Sequence, residues 1–197
     1  MTLLRMGILA LAVLGSGCSR SDFDWAQGEN LMLEREIKEM PDGSVDMRFV
    51  SLVNAPGEEL YKAFIDVEHH SDFIEGVTES KLVSHVGGTK KVIDVTNRVL
   101  GRPNQARIEW TFDHDHKRAA FKTVEADFTD NSAEYQVDVS PDGKRALITT
   151  HYHLRDKGGH PFPIHSLKQG VVDGHISAVR SIKRRVLGDK AGSGEDS

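Results

Sequence analysis

Hydrophobic and polar positions alternate with a period of two over most of this chain, as they do in half-buried β-strands. Segments 31–37 and 45–53, joined by a turn at 41–44, predict a first hairpin. Beyond it, the same alternation predicts six more strands, over 78–86, 89–99, 105–113, 118–126, 132–139 and 145–155. Because the turns between these strands are short, we expect one antiparallel, meandering sheet.

Helical spacing replaces this alternation in two regions. Ala55-Pro56-Gly57-Glu58-Glu59 has the residue types of a helix start, and a second short helix is predicted over 69–74. A longer helix is predicted from just after Pro163 to about Leu187. Its apolar stripe consists of Ile164, Leu167, Val171, Ala178, Val179, Ile182 and Val186. The predicted fold class is therefore α+β.

The first 17 residues are predicted to be a signal peptide and not part of the fold. Arg5 precedes an uncharged apolar run over 7–14, which is far shorter than the roughly 20 residues of a bilayer-spanning helix. Leu14-Gly15-Ser16-Gly17-Cys18 then resembles the lipobox of bacterial lipoproteins, although Gly15 stands where a branched apolar residue is preferred. The resemblance implies cleavage before Cys18 and lipidation of its thiol.

This resemblance also predicts how the chain divides and where the protein resides. Residues 18–27 are expected to be a lipidated tether, 28–188 the folded domain and 189–197 a disordered polar tail. Lipid chains on Cys18 would anchor the protein in the bacterial cell envelope, facing the periplasm. Ser19, and not Asp, follows the cysteine, which favours the outer membrane over the inner membrane.

Composition excludes several classes of partner and site. The chain has 197 residues, enough for one domain, and it is 38% hydrophobic and 28% charged, as is usual for globular proteins. It has 25 basic and 30 acidic residues, and the resulting net charge of −5 argues against nucleic acid as a partner. The single cysteine rules out an internal disulfide and a multi-cysteine zinc site.

Ten histidines raise the question of a metal site, but their spacing does not favour one. His151 and His153 alternate with the apolar residues of their strand, so they are predicted on its outer face, and His114 and His116 flank a turn. No Ser-His-Asp order, phosphate-binding glycine loop or paired-carboxylate spacing stands out. We therefore predict neither a metal ion nor a cofactor.

Two segments carry a resemblance to a known family. Residues 53–68, which begin Val-Asn-Ala-Pro-Gly-Glu-Glu and end Asp-Val-Glu, resemble the start of the first helix in the START and polyketide-cyclase superfamily, which includes the birch-pollen allergens. Residues 73–80 resemble the segment that follows, with Ile74-Glu75 where a proline is common. The resemblance spans roughly 30–187 and implies the helix-grip fold, in which a curved antiparallel sheet wraps around a long C-terminal helix. It implies no particular chemistry.

The helix-grip fold implies a cavity between the sheet and the long helix, and strand parity predicts which side chains face it. The aromatic residues on that face are Trp110, Phe112, Phe121, Tyr135 and Tyr152. On the helix, Val171 and His175 belong to the apolar stripe and Lys168 lies at its edge. We expect these eight residues to bind an apolar ligand. The alternatives are that the aromatic residues fill a core and that His175 bonds to a backbone carbonyl.

Three functions remain open at this point. The favoured one is a lipid-anchored, START-like domain that binds an apolar small molecule such as a lipid or a quinone. The second is an aromatase- or cyclase-type enzyme in which His175 and Tyr135 or Tyr152 act as acid–base groups. The third is an interaction module whose cavity is filled by its own side chains.

A basic run near the end of the long helix is expected to be a solvated face that complements the helix dipole. Contact with anionic lipid head groups is the alternative for this face. The run consists of Arg180, Lys183, Arg184 and Arg185.

Overall fold

The computed structural model describes residues 23–158 and 162–188. The predicted signal peptide, Cys18 and the tail 189–197 lie outside these ranges. The strands are β1 (Asn30–Glu39), β2 (Val45–Val53), β3 (Val77–Val86), β4 (Lys90–Val99), β5 (Arg102–Asp113), β6 (Arg118–Ala126), β7 (Thr129–Val139) and β8 (Ala146–Asp156). The helices are α1 (Gly57–Ile65), α2 (His70–Phe73), which follows a 3₁₀ turn over Val67–His69, and α3 (Ile164–Leu187). None of the described helices is long and apolar enough to span a membrane.

The eight strands form one antiparallel sheet in the order β1-β2-β8-β7-β6-β5-β4-β3. Strand β2 joins the first hairpin to the end of the meander, because it pairs with β1 on one side and β8 on the other. The sheet curves around α3, and the short helices follow the first hairpin. The predicted α+β class and helix-grip architecture are confirmed.

Two strands begin three residues earlier than the sequence predicted. The β4–β5 turn consists of Leu100 and Gly101 alone, not of 101–104, and both residues have positive φ, 50° and 82°. Positive φ at both positions is the conformation of a tight two-residue hairpin turn. Residues 129–131, predicted as a turn, belong to β7. Asn104 and Asn131 are consequently strand residues.

The concave face of the sheet and α3 bury two apolar clusters. One lies where α1 and the C-terminal half of α3 cover the sheet, and it includes Leu60, Phe64, Phe112, Ile148 and Ile182. The other lies near the start of α3 and includes Val45, Phe49, Leu154, Leu167 and Val172. Full burial of such side chains stabilises a fold by about 1.5–3 kcal/mol each. The two clusters therefore fix both ends of α3 to the sheet.

The N-terminal segment packs on the opposite, convex face. There Val50, Leu52 and Leu147 are fully buried, and Phe23 and Trp25 cover them. The two aromatic rings contact each other at 5.0 Å, and the Arg145 guanidinium donates hydrogen bonds to the carbonyls of Trp25 and Gln27. The described fold therefore includes Phe23 and the residues after it, so it overlaps the tether predicted over 18–27. Two aromatic residues in a polar stretch are too few to show periodicity.

A largely buried ion pair joins this N-terminal segment to α3. The Lys183 ammonium lies 2.6 Å from Glu29 Oε2, and their side chains are 17% and 15% exposed. The other Glu29 oxygen accepts a hydrogen bond from the backbone NH of Asn54. The predicted solvated basic face is thus wrong for Lys183, because this side of α3 faces the first hairpin. Arg180 and Arg184 are exposed, and the guanidinium of Arg185 lies over the Phe73 ring.

The Glu29–Lys183 pair predicts a large effect of one substitution within the basic run. Lys183→Met leaves the Glu29 carboxylate without its cation in a mostly buried position, so the free energy of unfolding should fall by about 2 kcal/mol. Arg180→Met, an exposed position on the same helix, should change it by less than about 0.5 kcal/mol. Urea unfolding of both variants measures the difference. Equal stabilities would mean that the ion pair contributes nothing to stability.

Candidate functional site

A cavity of about 560 Å³ separates the concave face of the sheet from α3. This volume lies within the usual range of small-molecule sites, about 300–1,000 Å³. Its walls come from strands β2 to β8, from the α1–α2 region and from α3 between Leu167 and Ile182. We call it the central cavity.

Six of the eight residues predicted to bind a ligand line the central cavity. They are Trp110, Phe121, Tyr135, Tyr152, Val171 and His175. The other two predictions are not supported by their positions. Phe112 is buried on the expected face of β5, but it packs into the core, stacked against the rings of Trp110 and His114. Lys168 pairs with Glu39 at the edge of α3, because the long side chain carries its charge out of the apolar stripe.

The aromatic residues of the wall contact one another as well as the cavity. The Tyr135 ring lies 4.5 Å from the Phe64 ring and 6.0 Å from the Trp110 ring, and Phe121 lies 5.0 Å from Trp110. Such contacts hold each ring in a fixed orientation. Core filling and cavity lining were alternatives in the sequence analysis. In the structure the same aromatic residues do both, because they pack against one another and also line the cavity.

His175 is held by a chain of two hydrogen bonds that crosses from α3 to β1. Its Nε2 lies 2.9 Å from the hydroxyl oxygen of Ser51, and this hydroxyl donates to the carbonyl of Leu31 at 2.6 Å. Because the single hydroxyl hydrogen is directed to Leu31, His175 must donate through Nε2, which leaves Nδ1 without a proton. The partner of His175 is thus a serine and not the backbone carbonyl considered from the sequence.

Burial keeps His175 uncharged. It lowers the pKa of His175 to about 4, from an ordinary value near 6.5, since the charged ring would lose its hydration. The ring packs against Phe49 with a centroid distance of 4.9 Å. His175 is therefore a neutral, firmly oriented polar group in an otherwise apolar part of the wall.

His70 is a second neutral histidine in the wall, and the sequence analysis missed it. Its Nε2 donates to the carbonyl of Phe64 at 2.9 Å, and its ring meets Phe73 and Trp110 edge-on. Burial lowers the pKa of His70 to about 4. The sequence carried one usable signal, because His70 follows Val67 by three residues, which places both on one face of a helical turn.

Two tyrosines add hydroxyl groups to the wall. Burial raises the pKa of both Tyr135 and Tyr152, and the neighbouring Tyr152 adds to the shift at Tyr135. Both hydroxyls therefore stay protonated, and each can donate one hydrogen bond and accept others.

One end of the central cavity is polar, near the start of α3 and the β4–β5 turn. Asn97, Asn104, Thr129 and Asn131 line it. Asn104 Nδ2 donates to Asn97 Oδ1 at 2.8 Å. Within the described ranges, however, Oδ1 of Asn104 and Oδ1 of Asn131 are buried without a partner, as is the hydroxyl of Thr150 farther along the wall. The sequence analysis missed this polar end because its asparagines looked like turn residues.

The cavity opens between α3 and the β4–β5 turn. The exposed residues that line it are Glu75, Gly76, Arg98, Leu100, Asp173 and Gly174. Two glycines of α3, Gly170 and Gly174, also border this entrance. A Cβ added at either glycine would meet no atom within 4 Å. Close packing against the sheet therefore does not require glycine at either position. The two glycines keep the entrance wide.

The other histidines of the described ranges do not line the central cavity. His153 bonds to Asp46 at 2.7 Å on the convex face and His151 is exposed there, so the predicted outer position of both is confirmed. Asp66, Glu68 and His69 cluster within 4.8 Å of one another, but His69 pairs with Asp66 and Glu68 with Lys91. These pairs already neutralise the cluster's side chains.

The Ser51–His175 pair has the residue types of a nucleophile and its base, but its hydrogen bonds run the wrong way. A base must accept the serine proton, whereas here the serine donates to Leu31 and the histidine donates to the serine. Ser51 is also fully buried and does not line the cavity. The pair therefore orients His175 and does not form a nucleophilic site.

The comparisons with known proteins bear on the fold. No protein-family model matches the chain, and no curated protein does. Among solved structures, the Zhui aromatase/cyclase from a Streptomyces species superimposes with a TM-score of 0.63 at 15% identity, covering 75% of this chain and 98% of the other. A START superfamily protein from Mycobacterium smegmatis gives 0.60 at 12% identity, with coverages of 72% and 97%.

A plant protein, the major latex-like protein 151 from Panax ginseng, gives a TM-score of 0.58 at 17% identity, and the alignment covers 73% of this chain and 98% of that one. Each of the three structures is covered almost completely, so the similarity extends over whole domains. At these identities it concerns the fold and not the chemistry. The described chain has the helix-grip fold of START-superfamily and related structures.

Proposed function

We propose that this protein is a START-like domain that binds an apolar small molecule, such as a lipid or a quinone, in the central cavity. The observation that carries this function is the cavity itself, about 560 Å³ of space with aromatic and aliphatic walls. Transfer of an apolar ligand from water into such a site is favoured by about 25 cal/mol per Å² of apolar surface buried. An interaction module that fills its cavity with its own side chains would leave no such volume.

An aromatase- or cyclase-type reaction is the second candidate function. It is favoured by the similarity to an aromatase/cyclase structure and by the polar groups of Tyr135, Tyr152 and His175 on the wall. General acids and bases work best when their pKa lies near the operating pH. The pKa of His175 is about 4, and burial raises the pKa of both tyrosines, so none of these groups suits proton transfer at neutral pH. Binding without reaction is therefore the better supported function.

Anchoring of the domain to the outer membrane through lipidated Cys18 belongs to the same proposal. It is supported by the lipobox-like sequence that ends at Cys18. Since the described fold reaches back to Phe23, four residues lie between it and Cys18, and an extended chain spans at most about 18 Å over the five steps from Cys18 to Phe23. The domain would thus stay close to the membrane on the periplasmic side.

The neutral histidines predict how stability depends on pH. Unfolded histidines take up protons below about pH 6.5, whereas His70 and His175 in the folded state resist protonation until about pH 4. The contribution of the two histidines to the free energy of unfolding is therefore full above pH 6.5. It is lost as the pH falls to about 4, by up to about 3 kcal/mol for each histidine. His175→Phe should lose about half of this pH dependence.

Urea unfolding at a series of pH values between 4 and 7.5 measures the effect. At pH 7.5, His175→Phe should also be less stable by about 1–3 kcal/mol, because Ser51 loses a hydrogen-bond partner. His151→Phe, an exposed position on β8, is the control and should keep the wild-type profile. A wild-type pH profile in His175→Phe would show that His175 titrates normally in the fold.

Ligand binding is tested by blocking the entrance. In Gly170→Phe the new ring has open space around its Cβ at the cavity border, so it should lower uptake at least tenfold. Folding should tolerate it, since glycine is a poor helix residue. Native mass spectrometry, on protein from its own host and on delipidated protein mixed with host lipid extract, measures uptake.

Gln169→Phe is the matched control for this experiment, because Gln169 is exposed on the same helix and does not line the cavity. It should take up ligand as the wild type does. Absence of any ligand-sized mass in wild-type protein under both conditions would refute binding in the cavity.

The anchor is tested separately. Cys18→Ala should move the protein from the membrane fraction to the soluble fraction and abolish labelling by a fatty-acid probe, whereas Ser19→Ala should change neither. Fractionation and labelling of the two variants in the host measure this. If Cys18→Ala still sediments with membranes and the wild type takes up no label, the lipobox interpretation is wrong.

A further inference from the structure

The polar groups of the central cavity are placed to bind part of a ligand. Asn104 is 6% exposed and Thr150 is 1% exposed; both residues belong to the cavity wall, and each has a buried side-chain oxygen without a partner among the described residues. Asn131 Oδ1 is also buried without a partner among the described residues. Buried polar atoms are nearly always hydrogen-bonded in native proteins, so partnerless ones in a cavity wall point to a missing partner.

All of these wall groups are uncharged. The amides and the threonine hydroxyl carry no charge at any pH of interest, and the tyrosines and both histidines are neutral. Among the described residues that line the central cavity, the charged ones are Glu75, Arg98 and Asp173, and all three are exposed at the entrance. The interior wall thus offers hydrogen bonds but no described counter-charge.

An anionic ligand would be poorly accommodated in such a site. A carboxylate or phosphate moved from water into a low-dielectric interior loses its hydration, and a paired cation is the strongest compensation for that loss. The nearest basic candidate predicted from the sequence, Lys168, is already paired with Glu39. At the entrance, the carboxylates of Glu75 and Asp173 outnumber the single guanidinium of Arg98, so an anionic ligand would also be repelled there.

We infer that the ligand is an electrically neutral amphiphile whose hydroxyl, carbonyl or amide group binds at the Asn104–Asn131 end, with its apolar body against Trp110 and Phe121. This inference rests on the proposed binding function and narrows it to one class of ligand. Free fatty acids and phosphate-bearing lipids are excluded from that class, whereas neutral acylglycerols, fatty alcohols and quinones belong to it.

The charge preference is tested with two fluorescent probes that share one skeleton. N-phenyl-1-naphthylamine is neutral, and 8-anilinonaphthalene-1-sulfonate adds a sulfonate to the same rings. In the delipidated wild-type protein at pH 7.5 and 0.15 M salt, the neutral probe should bind at least tenfold more tightly than the sulfonate. At this ionic strength, interactions with surface charges are largely screened, so the difference reports the interior.

A cation introduced into the wall should reverse the preference. Val171→Lys places an ammonium on the cavity side of α3 and should raise the affinity for the sulfonate, relative to the neutral probe, at least tenfold. Gln169→Lys makes the same change in net charge outside the cavity and should leave the ratio of the two affinities as in the wild type. Circular dichroism shows whether each variant is folded.

The polar end is tested with 1-naphthol and naphthalene, which differ by one hydroxyl. Wild-type protein should prefer 1-naphthol at least fivefold, and Asn131→Leu should abolish this preference. Thr150→Val is a milder second variant that should reduce it. Thr149→Val is the matched control, because its hydroxyl is also buried without a described partner but does not line the central cavity; it should keep the wild-type preference.

The outcomes separate this inference from the proposed function. If the sulfonate binds the wild type as tightly as the neutral probe, or if the wild type shows no preference for 1-naphthol, the inference is wrong and the cavity remains a binding site of another selectivity. If none of the four probes binds and no ligand is taken up from host extract, the binding function itself fails.

Discussion

Helix α3 is the only long helix in the described ranges, and it packs mainly against β1, β2 and the short helices α1 and α2. A single helix is about 10 Å wide, whereas the eight strands, spaced nearly 5 Å apart, form a much wider surface. The middle strands therefore face space that α3 does not fill. This geometric mismatch creates the central cavity, and the positions of the wall residues follow from it.

The same mismatch explains why α3 must be fixed by specific contacts. Apolar packing holds it at both ends, but over the cavity it has few neighbours, and there the His175–Ser51–Leu31 chain of hydrogen bonds ties it to the first hairpin. The Glu29–Lys183 pair ties it again, next to Ile182, to the residue that precedes β1. Each bond is directional, so each sets the rotation of the helix as well as its distance from the sheet. That rotation turns Val171 and His175 toward the cavity.

How far the sequence predicts this structure depends on how far each feature follows a period. Strands and the stripe on α3 repeat every two or 3.6 residues, so the sheet, the long helix and six wall residues could be predicted. The polar end could not, because Asn104 and Asn131 match turn statistics and only the register places them in strands. Lys168 and Lys183 are alike in sequence, and only their ion-pair partners on β1 and before it distinguish them.

The features that define the site are also those that a sequence selected for stability alone would lack. An open cavity forgoes the packing that its walls would otherwise gain, and each partnerless buried oxygen costs about 1–3 kcal/mol. Gly170 and Gly174 weaken α3 where larger side chains would fit without a clash. The open volume, the two glycines and the partnerless oxygens of Asn104, Asn131 and Thr150 belong to one site, whereas the clusters at both ends of α3 are well packed. A ligand that fills the volume and satisfies the free oxygens would recover much of this stability, so binding and stability are coupled in this fold.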